Sequence, residues 1–436
     1  MGDDGVEVGA EAYESAGRWS RLECKLRCLS PRRKLLTLLL IMAIVYGAFI
    51  ALDGLLLRRV IDQYFAASSD LSIFQERAKL ILNGGVIYRD VPIGSLPVES
   101  PPLINYLFIP PQLTGGDWWA YELWFSFFAL MSSLITYLVL RDWDDHLAFV
   151  AAIILLLCPS LVVDATMGLQ DEPIVVFFFI VPVLLFLRRN LKGATTTVML
   201  GFWTKFLSII LFPAMLLQLP TWKERLRHVG LAAIISLAIA LPFLIICPIE
   251  FLRFPTYYLL GSNDGGAGMS IMGLMSAGGL VIPGSVGAAA TIAALLTTYW
   301  YCWKHNVDIW RSCLLVTVVF LSVYPMIRLS YFVIPFAFLV VWAAGDRRVL
   351  FRILLMFIPL GVAQAFEFTI NDGTVPSSYA WIALLSLIAG LLILADATRI
   401  AMKESCFLDR PRSRAAPIWG AERSAAPAGK TPRETN

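Results

Sequence analysis

The chain of 436 residues is 58% hydrophobic and 15% charged, with a mean hydropathy of +0.72. A soluble globule of this length cannot hide so large an apolar fraction in one core, so the composition indicates a protein whose solvent is lipid. The net charge of only +3 excludes a strongly basic surface, and we expect no nucleic-acid partner.

The N-terminal part is polar and ends in the basic stretch SPRRK, which precedes an apolar run near residues 35–56. That run exceeds the core of a signal peptide, so it predicts a retained first span. We expect a cytoplasmic tail at 1–34, a membrane domain at 35–398, and a disordered cytoplasmic tail at 399–436, which is rich in Arg, Ala, Pro and Ser.

Further apolar runs predict an all-α polytopic membrane protein of about 10–12 transmembrane helices, including a re-entrant pair. The runs lie near residues 119–140, 147–166, 172–187, 229–247, 280–303, 311–327, 329–344, 350–367 and 379–397.

The re-entrant pair is predicted at residues 194–219, which form either one tilted crossing or two half-helices. Basic residues flank this stretch on both sides: Arg188, Arg189, Lys192, Lys223, Arg225 and Arg227. The positive-inside rule therefore favours a hairpin with both ends in the cytoplasm and its turn near Lys205. With the hairpin, both chain termini are cytoplasmic and the long segments 57–118 and 248–279 lie outside, where we expect the function.

An amphipathic helix is predicted in the first outer segment, within SSDLSIFQERAKLILNGG. Its apolar face is formed by Leu71, Phe74, Ala78, Ile81 and Leu82. We expect Ser69 or Asp70 to cap its start, Gly84 or Gly85 to follow its end, and the helix to lie on the membrane surface. Asp70 would then face the outer mouth of the bundle.

The segments DLSIFQERAKLILNGGVIYRDV and ESPPLINYL resemble the first outer loop of the GT-C superfamily, the polyprenyl-phosphate-sugar-dependent membrane glycosyltransferases, in its mannosyltransferase-like branch. The matching residues, in order, are Asp70, Gly84, Tyr88, Arg89, Asp90, Glu99, Pro101 and Pro102. Asp171 in MGLQDEPIVVFFF and Lys205 in VMLGFWTKFLSIILFP also match positions of that family. Ser100 departs from it, because the family often has an aromatic residue there.

The resemblance implies that Asp70 is the general base for an acceptor hydroxyl. A departing phosphate also needs cations at the membrane boundary, and the candidates are Lys205 and Arg328, with Tyr331 as a hydrogen-bonding assistant. Support of the acceptor or of the loop is assigned to Tyr88, Arg89, Asp90, Glu99, Asp171 and Glu172. The cysteines form no CxxC pair and no dense acidic cluster stands out, so we predict no metal ligand and no cofactor, with a divalent metal ion left as an open alternative.

Structural alternatives remain open for several of these residues. Asp70 could be only a helix cap, and Lys205 could simply extend to the interface from a half-helix end. Arg328 could balance Glu367 instead of binding phosphate, and Asp90 could pair with Arg89.

The sequence therefore predicts an enzyme that transfers a hexose, mannose by default, from a polyprenyl or dolichyl phosphate sugar to a lipid, glycan or protein acceptor. We expect it in the cell membrane, or in the endoplasmic reticulum of a eukaryote, with its site on the extracytoplasmic face. The alternative is a secondary transporter or lipid-linked sugar flippase. No internal repeat in the spacing of the spans supports that alternative.

Overall fold

The computed structural model describes residues 26–58, 60, 70–91, 98–260 and 267–412, and these are mostly helical. In chain order, the helices described up to residue 187 are α1 Pro31–Leu52, α2 Leu71–Leu82, α3 Pro102–Leu107, α4 Ile109–Leu113, α5 Trp118–Leu140, α6 Asp145–Leu156, α7 Pro159–Ala165 and α8 Glu172–Leu187. A π-helical turn, Asp53–Leu57, continues α1.

The remaining helices follow the same chain order. They are α9 Leu191–Thr204, α10 Leu211–Leu217, α11 Trp222–Ile246, α12 Pro248–Phe251, α13 Arg253–Leu260, α14 Ile271–Ala277, α15 Gly284–Lys304, α16 Ile309–Val323, α17 Val333–Ala343, α18 Arg347–Leu355, α19 Phe357–Asn371 and α20 Ala380–Lys403. Short 3-10 helices span Phe206–Ile210, Leu329–Phe332, Ser377–Tyr379 and Phe407–Asp409.

The strands described are two residues long, and they pair in parallel. β1, Ala267–Gly268, lies beside β2, Met326–Ile327, with Gly268 opposite Ile327. This pairing joins the second long loop to the segment that leads into Arg328.

Within the described ranges, five helical segments are long and apolar enough to cross a membrane: Pro31–Leu57, Trp118–Leu140, Trp222–Ile246, Arg347–Asn371 and Ser377–Asp409. A sixth consists of α6 and α7, which meet at an angle of 51°. Shorter apolar helices are Glu172–Leu187, Phe206–Leu217, Ile309–Val323 and Leu329–Ala343. The prediction of an all-α polytopic membrane protein is confirmed.

The centre of the bundle is formed by helices that are apolar on every side, as buried helices are. Every residue of α17 is buried, and α8 is buried along nearly its whole length between α5 and α9. In contrast, α1 and α11 leave large aliphatic side chains exposed, for example Ile44 and Ile234. Exposed aliphatic faces of this kind are suited to contact with lipid.

The predicted re-entrant hairpin is present. Leu191 and Thr195, near the start of α9, line the same small cavity as Met215 and Leu219, near the end of α10. The chain therefore returns to the side from which it entered. Lys205 takes an extended conformation at the turn, with φ −145° and ψ 122°, which ends α9.

One predicted span differs from the structure. The run 147–166 was expected to be a single helix, but it is broken between α6 and α7, where Pro159 begins the second helix. The residue before a proline is disfavoured in helical conformation, and Cys158 has φ −56° and ψ 122°. The break turns α7 by 51° and brings its end towards α8.

The C-terminal part of the chain packs closely onto the bundle as far as it is described. The C-terminal tail was predicted to start at residue 399, but α20 continues to Lys403, and Phe407 beyond it is buried. Arg311 donates to Asp409 at 2.8 Å, and Arg410 donates to Asp144 at 3.0 Å. The predicted disorder beyond residue 412, and nearly all of the predicted N-terminal tail, lie outside the described residues.

A buried ionic cluster joins the end of α1 to the start of α5. Arg58 donates to Asp53 Oδ2 at 2.5 Å and lies 3.6 Å from Glu122, and both carboxylate side chains are fully buried. One cation thus compensates two buried acids. Removing one member of such a cluster leaves charge without compensation in a low-dielectric environment.

We therefore expect Arg58→Met to lower the free energy of unfolding by about 3–5 kcal/mol, because the variant removes the cation and leaves two buried acids unpaired. The measurement is thermal unfolding of the purified protein in detergent. As a control, Asp53→Asn and Glu122→Gln should restore most of the loss in the Arg58→Met background. Equal stability of wild type and Arg58→Met would show that the cluster is not held as described.

Candidate functional site

A polar cavity of about 540 Å³ opens at one end of the bundle, the end at which α8 begins and α9 turns back. Its size lies within the range of small-molecule sites. It draws side chains from α2, the loop before α3, the start of α8, the hairpin turn, the segment after β2, and α19. Residues as distant in the sequence as Asp70 and Asn371 therefore share one space.

Seven of the predicted site residues line this cavity: Asp70, Glu99, Asp171, Glu172, Lys205, Arg328 and Tyr331. Tyr88, Arg89 and Asp90 are not among its lining residues. Residues that the sequence groups together thus share one cavity, but their order along the chain does not distinguish the members that reach the cavity from those that support its wall.

The helix α2 is confirmed within the predicted bounds, and Gly84 follows it with φ +80°. Its apolar face packs on protein: Phe74 stacks on Phe108 with the ring centroids 4.2 Å apart, and Ala78 is fully buried. Gln75 donates to the Gly116 carbonyl at 2.6 Å, which anchors the helix to the start of α5. These contacts fix the direction in which Asp70 faces.

Asp70 occupies the N-cap position of α2, but its side chain makes no capping hydrogen bond. Among the described residues its carboxylate has neither a hydrogen-bond donor nor an ion-pair partner, and it is half-buried in the cavity wall. The helix therefore does not use this carboxylate as a cap. An unengaged acid at a cavity is available to a ligand.

Lys205 lies between two acids at the start of α8. Its Nζ atom donates to Asp171 Oδ1 at 2.9 Å and to Glu172 Oε1 at 2.8 Å. Its ammonium also lies 4.9 Å from the ring centroid of Tyr331, a distance typical of a cation–π contact. Lys205 thus contacts protein groups on three sides and does not extend to an interface.

Two features hold this ion triad in place. The start of α8 favours negative charge, because the helix dipole is positive there, and Asp171 and Glu172 occupy that position. At the hairpin turn, a Cβ on Gly201 would meet Phe178 Cβ and Ser208 Oγ at 2.8 Å, so only glycine allows α9 to approach so closely.

Arg328 is the contrasting cation of the cavity. It is exposed to the cavity and has no ion pair within 4 Å in the part of the chain that the structure describes. Asp70, Glu172 and Glu367 are near enough to interact with it electrostatically. The anticipated pairing of Arg328 with Glu367 is therefore not a direct contact.

The segment that carries Arg328 is fixed by contacts on both sides of it. The Met269 N–H donates to the Ile327 carbonyl at 2.9 Å, and Ser270 Oγ donates to the Pro325 carbonyl at 2.6 Å. On the other side, the Leu329 N–H donates to Gln364 Oε1 at 3.0 Å. Gly268 has φ +64°, and a Cβ there would lie 2.3 Å from the Ile327 oxygen, so the close pairing requires glycine.

The loop before α3 supports one wall of the cavity. Tyr88 donates to the Ser100 carbonyl at 2.8 Å, and its ring packs on Phe243 and Phe251. Ser100, where the GT-C pattern often has an aromatic residue, accepts from Arg77 at 3.0 Å. Next to it, burial raises the pKa of Glu99 above its ordinary value.

Arg89 and Asp90 have a local role. They pair at 2.8 Å, and Asp90 also accepts from the Val86 N–H at 2.8 Å. The hydrogen bond from Arg89 lowers the pKa of Asp90 to about 2, so the acid remains ionised. The pair closes the turn after α2, as the structural alternative anticipated.

Several cavity residues were not assigned from the sequence: Arg77, Gln170, Gly268, Glu367 and Asn371. A signal existed for Arg77, because Asp70, Phe74 and Arg77 recur at helical spacing. Glu367 stands out in the sequence as a charge inside an apolar run, but that pattern alone predicts only a counter-charge for Arg328. Within the described ranges, no group of three His, Cys, Asp or Glu residues is arranged to hold a metal ion.

No protein-family model matches the chain, and no curated protein matches it. Among solved structures, ArnT from Cupriavidus metallidurans bound to undecaprenyl phosphate is similar with a TM-score of 0.47 and 15% identity, over 85% of this chain and 78% of that chain. Apo ArnT from the same organism is similar with a TM-score of 0.45 and 15% identity, over 76% of this chain and 72% of that chain. These distant likenesses do not carry an activity to this chain.

The ion triad generates a prediction about Lys205. We expect Lys205→Met to lower the free energy of unfolding by about 3–5 kcal/mol, because Glu172 is buried and would lose its cation. Thermal unfolding in detergent measures this. Adding Glu172→Gln to Lys205→Met should recover most of the lost stability. Wild-type stability of Lys205→Met alone would contradict a stabilising role for the triad.

Proposed function

We propose that this chain is a GT-C-type membrane glycosyltransferase that transfers a sugar from a polyprenyl phosphate carrier to an acceptor hydroxyl. The observation that carries the proposal is that one cavity of a polytopic bundle holds the carboxylate of Asp70 and the guanidinium of Arg328, neither of which has an ion-pair partner among the described residues. The ordered sequence resemblance of the first loop to GT-C enzymes supports the same function.

In this mechanism, Asp70 accepts the proton of the acceptor hydroxyl as that oxygen attacks the anomeric carbon. The bond between the anomeric carbon and the phosphate oxygen breaks, and its electron pair leaves with the phosphate. Attack opposite to the leaving group inverts the configuration of the sugar. The role of Asp70 is to hold the proton, and no covalent intermediate on the protein is required.

Arg328 stabilises the negative charge of the departing phosphate in this mechanism. A guanidinium suits that role because its planar N–H groups match two phosphate oxygens, and a water-poor site strengthens each contact. Lys205, which is paired with Asp171 and Glu172, and Tyr331 form the adjoining wall on the phosphate side of the cavity. Glu99, Asp171 and Glu172 shape the acceptor side, with Tyr88, Arg89 and Asp90 supporting the loop.

The finer assignments extend the proposal. The sugar is a hexose with mannose as the default, and the acceptor is a lipid, glycan or protein. The carrier is a polyprenyl phosphate, or dolichyl phosphate in a eukaryote. The protein resides in the cell membrane, or in the endoplasmic reticulum of a eukaryote.

The decisive test compares wild type with Asp70→Asn in liposomes that contain a radiolabelled polyprenyl-phosphate sugar and membrane acceptors. We expect Asp70→Asn to lose at least about 100-fold of transfer, because the general base can no longer accept a proton. Donor binding should change little, since Arg328 is intact.

The matched control is Glu76→Gln, which removes an acid on the same helix that does not line the cavity and should keep wild-type transfer. Equal transfer by wild type and Asp70→Asn would remove Asp70 as the base. If wild type transfers none of several donor sugars, the enzyme proposal fails and the transporter alternative gains.

The proposed sidedness has its own test, because the cavity and the exposed Cys28 lie at opposite ends of the membrane domain. We expect Ser72→Cys, exposed on α2, to react with an impermeant thiol reagent in intact cells, in a variant that lacks Cys24, Cys28 and Cys406. Native Cys28 should react only after permeabilisation. The reverse pattern would place the cavity in the cytoplasm.

A further inference from the structure

Two side-chain amides on α19 donate hydrogen bonds to the carboxylate of Glu367 at the cavity wall. Gln364 Nε2 donates to Glu367 Oε2 at 2.5 Å, and Asn371 Nδ2 donates to Glu367 Oε1 at 2.6 Å. Glu367 is 8% exposed, and no cation lies within ion-pairing distance of it among the described residues. Both oxygens are therefore oriented by neutral donors and are not neutralised.

Holding an acid in this way is costly in an apolar helix, so the arrangement calls for a reason. Each carboxylate oxygen accepts more than one hydrogen bond, and the amides occupy only one direction at each oxygen. The remaining directions are available to a ligand, since Glu367 and Asn371 both line the cavity. Oriented carboxylate and amide groups bind the neighbouring hydroxyls of a sugar well.

The position of this group relative to Arg328 indicates which sugar it would contact. Gln364 joins them directly, because its Oε1 accepts from the N–H of Leu329, the residue after Arg328. In a polyprenyl-phosphate sugar, one oxygen separates the phosphorus from the anomeric carbon. A phosphate at Arg328 therefore brings its own sugar to the groups nearest Arg328.

We propose that Glu367 and Asn371, oriented by Gln364, form the hydroxyl-binding site for the donor sugar. This inference rests on the proposed function and adds the part of the cavity that distinguishes a sugar-bearing carrier from a bare one. Gln364 acts as a positioning residue, because it contacts Glu367 and the Arg328 segment but does not line the cavity.

The competing explanation is that Glu367 only balances the charge of Arg328 at a distance. The two explanations differ in their effect on a ligand that lacks sugar. Loss of a balancing acid would change the affinity for any phosphate at Arg328. Loss of a hydroxyl-binding acid changes only the affinity for phosphates that carry a sugar.

The experiment measures binding of farnesyl phosphate and of farnesyl-phosphoryl hexoses, with mannose, glucose and galactose as the sugar, to the full chain in nanodiscs. We expect Glu367→Gln to weaken the best sugar-bearing ligand by about tenfold to a hundredfold, as for loss of hydrogen bonds to a charged group. Farnesyl phosphate should bind within about threefold of wild type, because this variant keeps the shape of the side chain.

Three further variants complete the design. Asn371→Ala, at the exposed end of α19, should weaken only the sugar-bearing ligand, by a smaller factor. Arg328→Gln should weaken both ligands. Val362→Ala, on the exposed side of the same helix, should change neither.

Parallel changes in both ligands for Glu367→Gln would overturn the inference in favour of charge balance, and no change in either would also overturn it. If Glu367→Gln does not fold, Asn371→Ala alone decides by the same comparison. These outcomes remain distinct from failure of the proposed function, which would appear as absence of sugar transfer by wild type in liposomes.

Discussion

The contact on which the site depends is the ion triad of Lys205 with Asp171 and Glu172. Lys205 interrupts the re-entrant hairpin, and the two acids begin α8, so the triad fixes the turn of one element to the end of another. Without the lysine, two acids would lie together near a buried helix end; without the acids, an ammonium would lie inside the bundle. Each charge is tolerated because of the others.

The buried and cavity-lining charges of the described residues fall into two kinds, those that are paired and those that are not. The buried clusters, around Lys205 and around Arg58, pair their members within 4 Å and hold helices together. Asp70 and Arg328 have no such partner among the described residues, although they line a polar cavity. Because an unpaired charge costs energy near a membrane, residues of the second kind are the ones that binding explains.

The sequence was sufficient where a local pattern has one physical outcome. Apolar runs predicted the helices, flanking charges predicted the hairpin at Lys205, and helical spacing predicted α2. It was insufficient where the outcome depends on distant partners. Asp90 closes the turn after α2 and does not line the cavity, whereas packing of α2 on distant residues places Asp70 in it. The orientation of Glu367 depends on Gln364, which also accepts from the distant Leu329 N–H, and no local sequence pattern links Gln364 to Leu329. The bend at Pro159 does not show in the apolar run 147–166, because hydropathy alone does not register where a proline breaks a helix.

The electrostatics of the cavity also assign different tasks to its two cations. The ammonium of Lys205 is shared by two carboxylates, so the triad carries a net negative charge when all three groups are ionised. An incoming phosphate would meet those acids together with the lysine. Arg328 has no acid within ion-pairing distance in the described part of the chain, and its segment is held by β1 on one side and by Gln364 on the other. A rigidly placed, unpaired cation loses little on binding an anion, whereas Lys205 must first give up part of its existing contacts. Under the proposed function, an anionic phosphate would therefore bind first at Arg328, with Lys205 maintaining the wall that it approaches.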